Sequence, residues 1–195
     1  MDRVGDKGFR WIKSNLAAYI AVLFFFFIGL ASGAFTAKAL PSAEKADLTG
    51  YVVNAGALET HRSEAFWTSL SNNLKTFGLI TLGSLFWLGS ALVVISVLVR
   101  GFVLGFTVAV LGTLGAQGLG LSLIAVWLPN VLLVPILATF AVYALSTALG
   151  RKKGRTKTKP TLEHHLLVCG LFFLSTLVVS VIEVYVVPPL MQLLV

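Results

Sequence analysis

Glu183 is the one acidic residue inside an apolar run long enough to cross a bilayer. An ionisable group at such a position is a functional candidate by default. Counted from His165 along a helix rising 1.5 Å per residue, it lies about 27 Å in, in the outer part of the bilayer. A carboxylate there can pair with Lys75 or Lys38. A proton relay would need further acids or histidines at depth, and the sequence places none there. Glu163, His164 and His165 have the composition of a metal cluster, but three adjacent residues at the edge of a span suit an interfacial anchor better, and His61 lies on the opposite side. No H-E-x-x-H or G-x-S-x-G occurs, and no Gly-Lys-Ser or Gly-Lys-Thr ends a phosphate loop. The expectation is a chain that is no enzyme, with no catalytic residue, no metal and no cofactor. Cys169, the single cysteine, allows no intramolecular disulfide and reads as a small buried thiol.

Positioning such residues falls to helices in a membrane. The chain is 57% hydrophobic and 12% charged, with mean hydropathy +0.91. A soluble domain carries about 25% charged residues, so there are too few here to coat a globule of this size. A net charge of +7 raises the question of nucleic acid. The cations instead cluster at Arg3 to Lys13 and Arg151 to Lys159, beside apolar runs, which marks topology signals and contact with anionic lipid, not nucleic acid.

The pattern predicts a polytopic all-α transmembrane bundle forming one domain, 1–195, with five spans at about 16–36, 77–99, 101–117, 131–149 and 166–187. The turn between the second and third is expected at Arg100-Gly101, with the cation at the water interface and the glycine freeing the backbone. Residues 38–75 form an outer loop with Pro41 and Gly50 as breakers, ending in an amphipathic helix over 61–75 at the membrane surface. A broken or re-entrant element is expected at 121–128, with a break at Pro129-Asn130 and a basic cytoplasmic loop at 150–160. The Asn130 amide is placed to satisfy backbone groups that such a break frees. Gly29 with Gly33, and Gly101 with Gly105, have the four-residue spacing that lets helices approach closely.

With the N-terminus inside, the cytoplasmic side holds Arg100 and both basic clusters, whereas the outer side holds only Lys38, Lys45, Arg62 and Lys75. That bias places the N-terminus in the cytoplasm and, after five spans, the C-terminus outside the cell membrane.

Asn73-Leu74-Lys75, Gly83, the stretch Arg100-Gly101-Phe102-Val103-Leu104-Gly105-Phe106-Thr107-Val108, the run from Pro129-Asn130 to Pro135, and Ile182 to Pro188 together resemble stage II sporulation protein M. That family is the membrane component of the engulfment machinery of endospore-forming bacteria, and the likeness covers roughly residues 15–192. The resemblance implies a non-catalytic scaffold at the sporulation septum. Its partners would be stage II sporulation protein D-like and P-like cell-wall hydrolases and, in a homo-oligomer, further copies of the chain. Lys75, Arg100, Gly101, Gly105, Asn130 and Glu183 are the residues expected to matter, through packing and docking. The rival reading is a permease or transporter subunit, alone or coupled to an ATPase. The proline-interrupted element and Glu183 favour it, and the lack of an inverted repeat counts against it.

Overall fold

The computed structural model describes residues 10–57, 62–152 and 162–192. Among them every regular element is helical and none is a strand. A helical turn at residues 10–14 leads into α1 (Leu16–Ala39), α2 (Ser42–Ala57), α3 (Arg62–Ser84) and α4 (Gly89–Leu111). A 3-10 turn at Gly112–Leu114 precedes α5 (Gly115–Ser122), and a π turn at Leu123–Trp127 joins α5 to α6 (Leu128–Lys152). α7 (Leu162–Val181) passes through a second π turn, Ile182–Val186, into α8 (Val187–Gln192). Among the described residues, three helical stretches are long and apolar enough to cross a membrane: Leu16–Ala39, Gly89–Leu149 and His165–Met191.

In hydrocarbon the helices gain nothing by hiding apolar surface from one another, so association rests on close packing and interhelical hydrogen bonds. Both are visible. Gly29 and Gly33 of α1 press on the backbone of Leu98 and Phe102 in α4, while Gly101 and Gly105 press back on Phe26 and Leu30. The register rises together on both helices, so α1 and α4 run parallel. Other pairs are antiparallel, and α3 and α6, which both oppose α7, run parallel to each other. Asn73 meets Ser180, and Ser84 meets His165, which sets α3 against α7. Tyr19 meets Thr139, and Asn15 meets Ser146, which sets α1 against α6. The seam of α3, α6 and α7 is filled by Phe77, Phe140 and Phe172, with centroids of Phe140 and Phe172 4.3 Å apart.

Several expected boundaries move. No turn occurs at Arg100-Gly101: α4 runs straight through both, because Gly101 is used to admit the α1 backbone and Arg100 points into the bundle. The reversal lies at residues 85–88 instead, where Gly83 and Gly89 let the ends of α3 and α4 touch. The helices expected over 77–99 and 101–117 are therefore replaced by α3 and α4, of which α4 lies in a stretch long and apolar enough to cross a membrane. The next reversal sits at Gly112–Gly115, and the break expected at Pro129-Asn130 does not occur. Gly115 adopts φ +65°, open to glycine at no steric cost, and the chain folds back so that Gly118 packs on Leu111.

Helicity continues through Pro129 and Pro135. Each proline lacks an N–H, yet the π turn ending at Trp127 shifts the bonding, with the Leu128 N–H donating to Leu123 five residues back. The same device recurs at Ile182–Val186, two residues ahead of Pro188, where the Val187 N–H donates to Ile182. The amphipathic segment 61–75 does not lie apart on the surface. It is the first half of α3, because Leu70, Asn73, Phe77, Ile80 and Ser84 form one buried stripe that α6 and α7 cover.

Within the expected outer loop, Pro41 does break the chain, with Leu40 extended before it. Gly50 does not, being inside α2 with open space where a Cβ would sit. Gly50→Ala is therefore expected to stabilise α2 by about 0.5–1 kcal/mol, read as a higher unfolding midpoint in detergent. His61 and most of the basic loop 150–160 lie outside the described residues.

Candidate functional site

Glu183 stands in the second π turn, and its Oε2 accepts hydrogen bonds from the Ser69 hydroxyl and from Asn73 Nδ2, 3.4 Å away. Asn73, fully buried, also donates to Ser180 Oγ at 3.2 Å. Ser69 and Asn73 are one turn apart on α3, and Ser180 and Glu183 are one turn apart across the end of α7, so four polar groups meet at one level. Lys75 and Lys38, the partners considered for Glu183, are both exposed and neither contacts it among the described residues.

Arg100 joins this layer from α4. Its Nη2 donates to Asn130 Oδ1 at 3.4 Å, and Glu183 acts on it electrostatically without a direct ion pair among the described contacts. The Arg100 Nε is enclosed and has no hydrogen-bond partner among the described residues. Asn130 in turn donates to Val126 O at 2.6 Å, one turn back in the π segment. Asn130 thus ties the backbone before Pro129 to the guanidinium. Asn130→Leu leaves both groups unmatched and is expected to cost about 1–3 kcal/mol of unfolding free energy, measured by denaturant titration in detergent.

The layer is deep in the bundle. Arg100 is level with Phe26, near the middle of α1, because Gly101 packs on the Phe26 carbonyl. Of the residues singled out by sequence, Arg100, Asn130 and Glu183 are brought together. Gly101 and Gly105 lie on the α1 seam beside them, and Lys75 faces away. Ser69 and Ser180 do not stand out by residue type, and the signal for them in the sequence is their i, i+4 and i, i+3 spacing with Asn73 and Glu183 on otherwise apolar stripes.

A second polar cluster closes the other end of α7. The His165 ring lies 3.1 Å from the Tyr143 hydroxyl through Nδ1 and 3.4 Å from Ser84 Oγ through Nε2. Among the described residues, no three His, Cys, Asp or Glu side chains gather as a metal site. The cavity of about 470 Å³ between α1, α4 and α6 is walled by apolar side chains such as Phe26, Leu104, Val108 and Val134, with Asn130 the polar exception. Nothing in it can act as a nucleophile.

The arrangement is a helical membrane bundle held by glycine seams and one buried polar layer. Its residues 22–188 match the family model described as stage II sporulation protein M. This chain belongs to the stage II sporulation protein M family. The match runs from the first third of α1 through the second π turn to Pro188, so it contains the α1–α4 seam and every member of the polar layer. Comparison with curated proteins and with solved structures gives no match. Membership makes the chain a sporulation-related membrane protein, and the apolar helices agree with that.

Proposed function

We propose that this member of the stage II sporulation protein M family is a non-catalytic scaffold that recruits and positions peptidoglycan-degrading enzymes during engulfment. The observation that carries the reading is the family match over residues 22–188. The partners are stage II sporulation protein D-like and P-like hydrolases, and the site of action is the sporulation septum. The chain crosses the membrane five times, as α1, α3, α4, α5 with α6, and α7 with α8. Two facts support that count. The apolar stretch Gly89–Leu149 doubles back at Gly112–Gly115, and α3 lies alongside α7 over most of its length.

The cation bias keeps its direction without Arg100, so the N-terminus and the basic loop face the cytoplasm and contact anionic lipid. α2 and the start of α3 then lie on the outer side, where wall-cutting enzymes work. A rival reading, a permease subunit, draws on Arg100 and Glu183 at mid-depth beside two π turns.

Crosslinking in intact membranes followed by affinity purification separates the two. Recovery of membrane-anchored wall hydrolases, lost when residues 42–57 are replaced by a flexible linker, supports the scaffold. Recovery of a cytoplasmic ATPase without any hydrolase overturns it in favour of the permease.

A further inference from the structure

α3 carries one stripe that the bundle does not cover. Ser71, Asn72, Lys75 and Gly78 are all exposed, opposite the buried stripe that meets α6 and α7. The depth of this stripe follows from its neighbour. α3 and α7 run antiparallel through the pairs Ser69–Glu183, Asn73–Ser180 and Ser84–His165. That register puts Lys75 level with Thr176 to Val178, midway along the apolar stretch His165–Met191. Val178 there is 53% exposed, a side chain suited to hydrocarbon. An ammonium, an amide and a hydroxyl at the same level are not. A Lys at the centre of a helix facing lipid is strongly disfavoured, and polar groups at that depth turn toward protein or water.

We propose that this stripe is the docking surface for a transmembrane helix of another protein that carries a carboxylate near its middle. The inference rests on the scaffold reading and deepens it by naming the surface and the chemistry of the partner. Three features select that occupant. The small side chain of Ser71 and the bare backbone of Gly78, where a Cβ would meet open space, let a second helix approach closely. Asn72 offers a donor and an acceptor to its backbone or side chains. Lys75 requires an anion. The acid within the apolar stretch His165–Met191 is Glu183, about a turn and a half from that level and already held by Ser69 and Asn73. A second copy docked symmetrically through the same stripe would bring Lys75 toward Lys75, which repels.

The test uses the full chain in the membranes of its own host, with the photoreactive residue p-benzoylphenylalanine in place of Ser71 or Leu79, and of Leu171 on α7 as a control. Expected adducts from positions 71 and 79 map to a membrane-spanning segment of another protein that contains Asp or Glu, and position 171 gives none. Lys75→Glu lowers capture of that protein at least tenfold, Lys75→Arg retains it, and changing the partner's acid to lysine restores capture by the Lys75→Glu chain. Lys75→Leu removes a charge from a lipid-facing level, so it accumulates in the membrane at least as well while losing the partner.

Adducts to a second copy, adducts to lipid alone, or undiminished capture by Lys75→Leu overturn the proposal. The map on the otherwise native chain stands even if a charge variant fails to fold. An acid-bearing helix from a protein that is no wall hydrolase leaves the surface standing and removes the scaffold reading. Hydrolase recovered through contacts elsewhere does the reverse.

Discussion

Replacing Arg100 with leucine is expected to destabilise the bundle by about 3–5 kcal/mol, the usual cost of removing one member of a buried charged set. The reason is what remains. Glu183 keeps the Ser69 and Asn73 bonds but loses the electrostatic partner on α4, and Asn130 loses its contact to Nη2. Glu183→Gln tests the other side. The amide fits the same space and can still accept from Ser69 and Asn73, so the change removes charge and little else. It leaves Arg100 uncompensated and is expected to cost about 3 kcal/mol. The double variant carries no net buried charge, and its cost should fall short of the sum of the singles by about 1–3 kcal/mol. Unfolding in a titration of denaturing detergent into mild micelles reads all three. Strict additivity would mean that the two groups do not feel each other.

The second large effect is at the parallel seam. A Cβ on Gly105 would run into the carbonyl of Leu30, and one on Gly33 into that of Phe102. Both obstacles are backbone, which cannot rotate away as a side chain does. Gly105→Leu must therefore push α1 off α4, and a loss of more than about 3 kcal/mol is expected, at the upper end of overpacking costs. Gly170→Ala meets nothing within 4 Å and should change stability by less than about 1 kcal/mol. Equal effects at the two positions, measured by the same titration, would remove the seam from the account.

The all-helical membrane class was legible because too few charges exist to solvate the surface. The glycine pairs were legible because small residues at four-residue spacing have one common use in apolar helices. Arg100-Gly101 misled for a physical reason. A cation followed by glycine has the composition of an interfacial turn, and local sequence cannot tell that glycine from one that receives a neighbouring backbone. Only the opposing glycines on α1 decide it. Asn130 illustrates the same limit. Its amide serves the backbone near Pro129, as its type suggests, but its second partner, Arg100, is thirty residues distant and set by the turn at Gly112–Gly115. The polar layer was half visible. Glu183 stands out as an acid in an apolar run, whereas Ser69 and Asn73 sit in a segment polar enough to read as an amphipathic helix at the membrane surface.

The parallel seam also has a consequence for how the chain is made. Antiparallel neighbours such as α3 and α4 emerge from the ribosome one after the other and can pair at once. α1 cannot find its partner in that way, since Gly33 packs beside Phe102 and the intervening α2 and α3 must be synthesised first. At about 5–20 residues per second, α1 waits several seconds in the bilayer with its glycine face open. During that interval the face is available to any other helix, including the α1 of a neighbouring nascent chain. Correct assembly then depends on α4 arriving before a competitor, so a pause in translation between α1 and α4 should raise mispairing without any change in sequence.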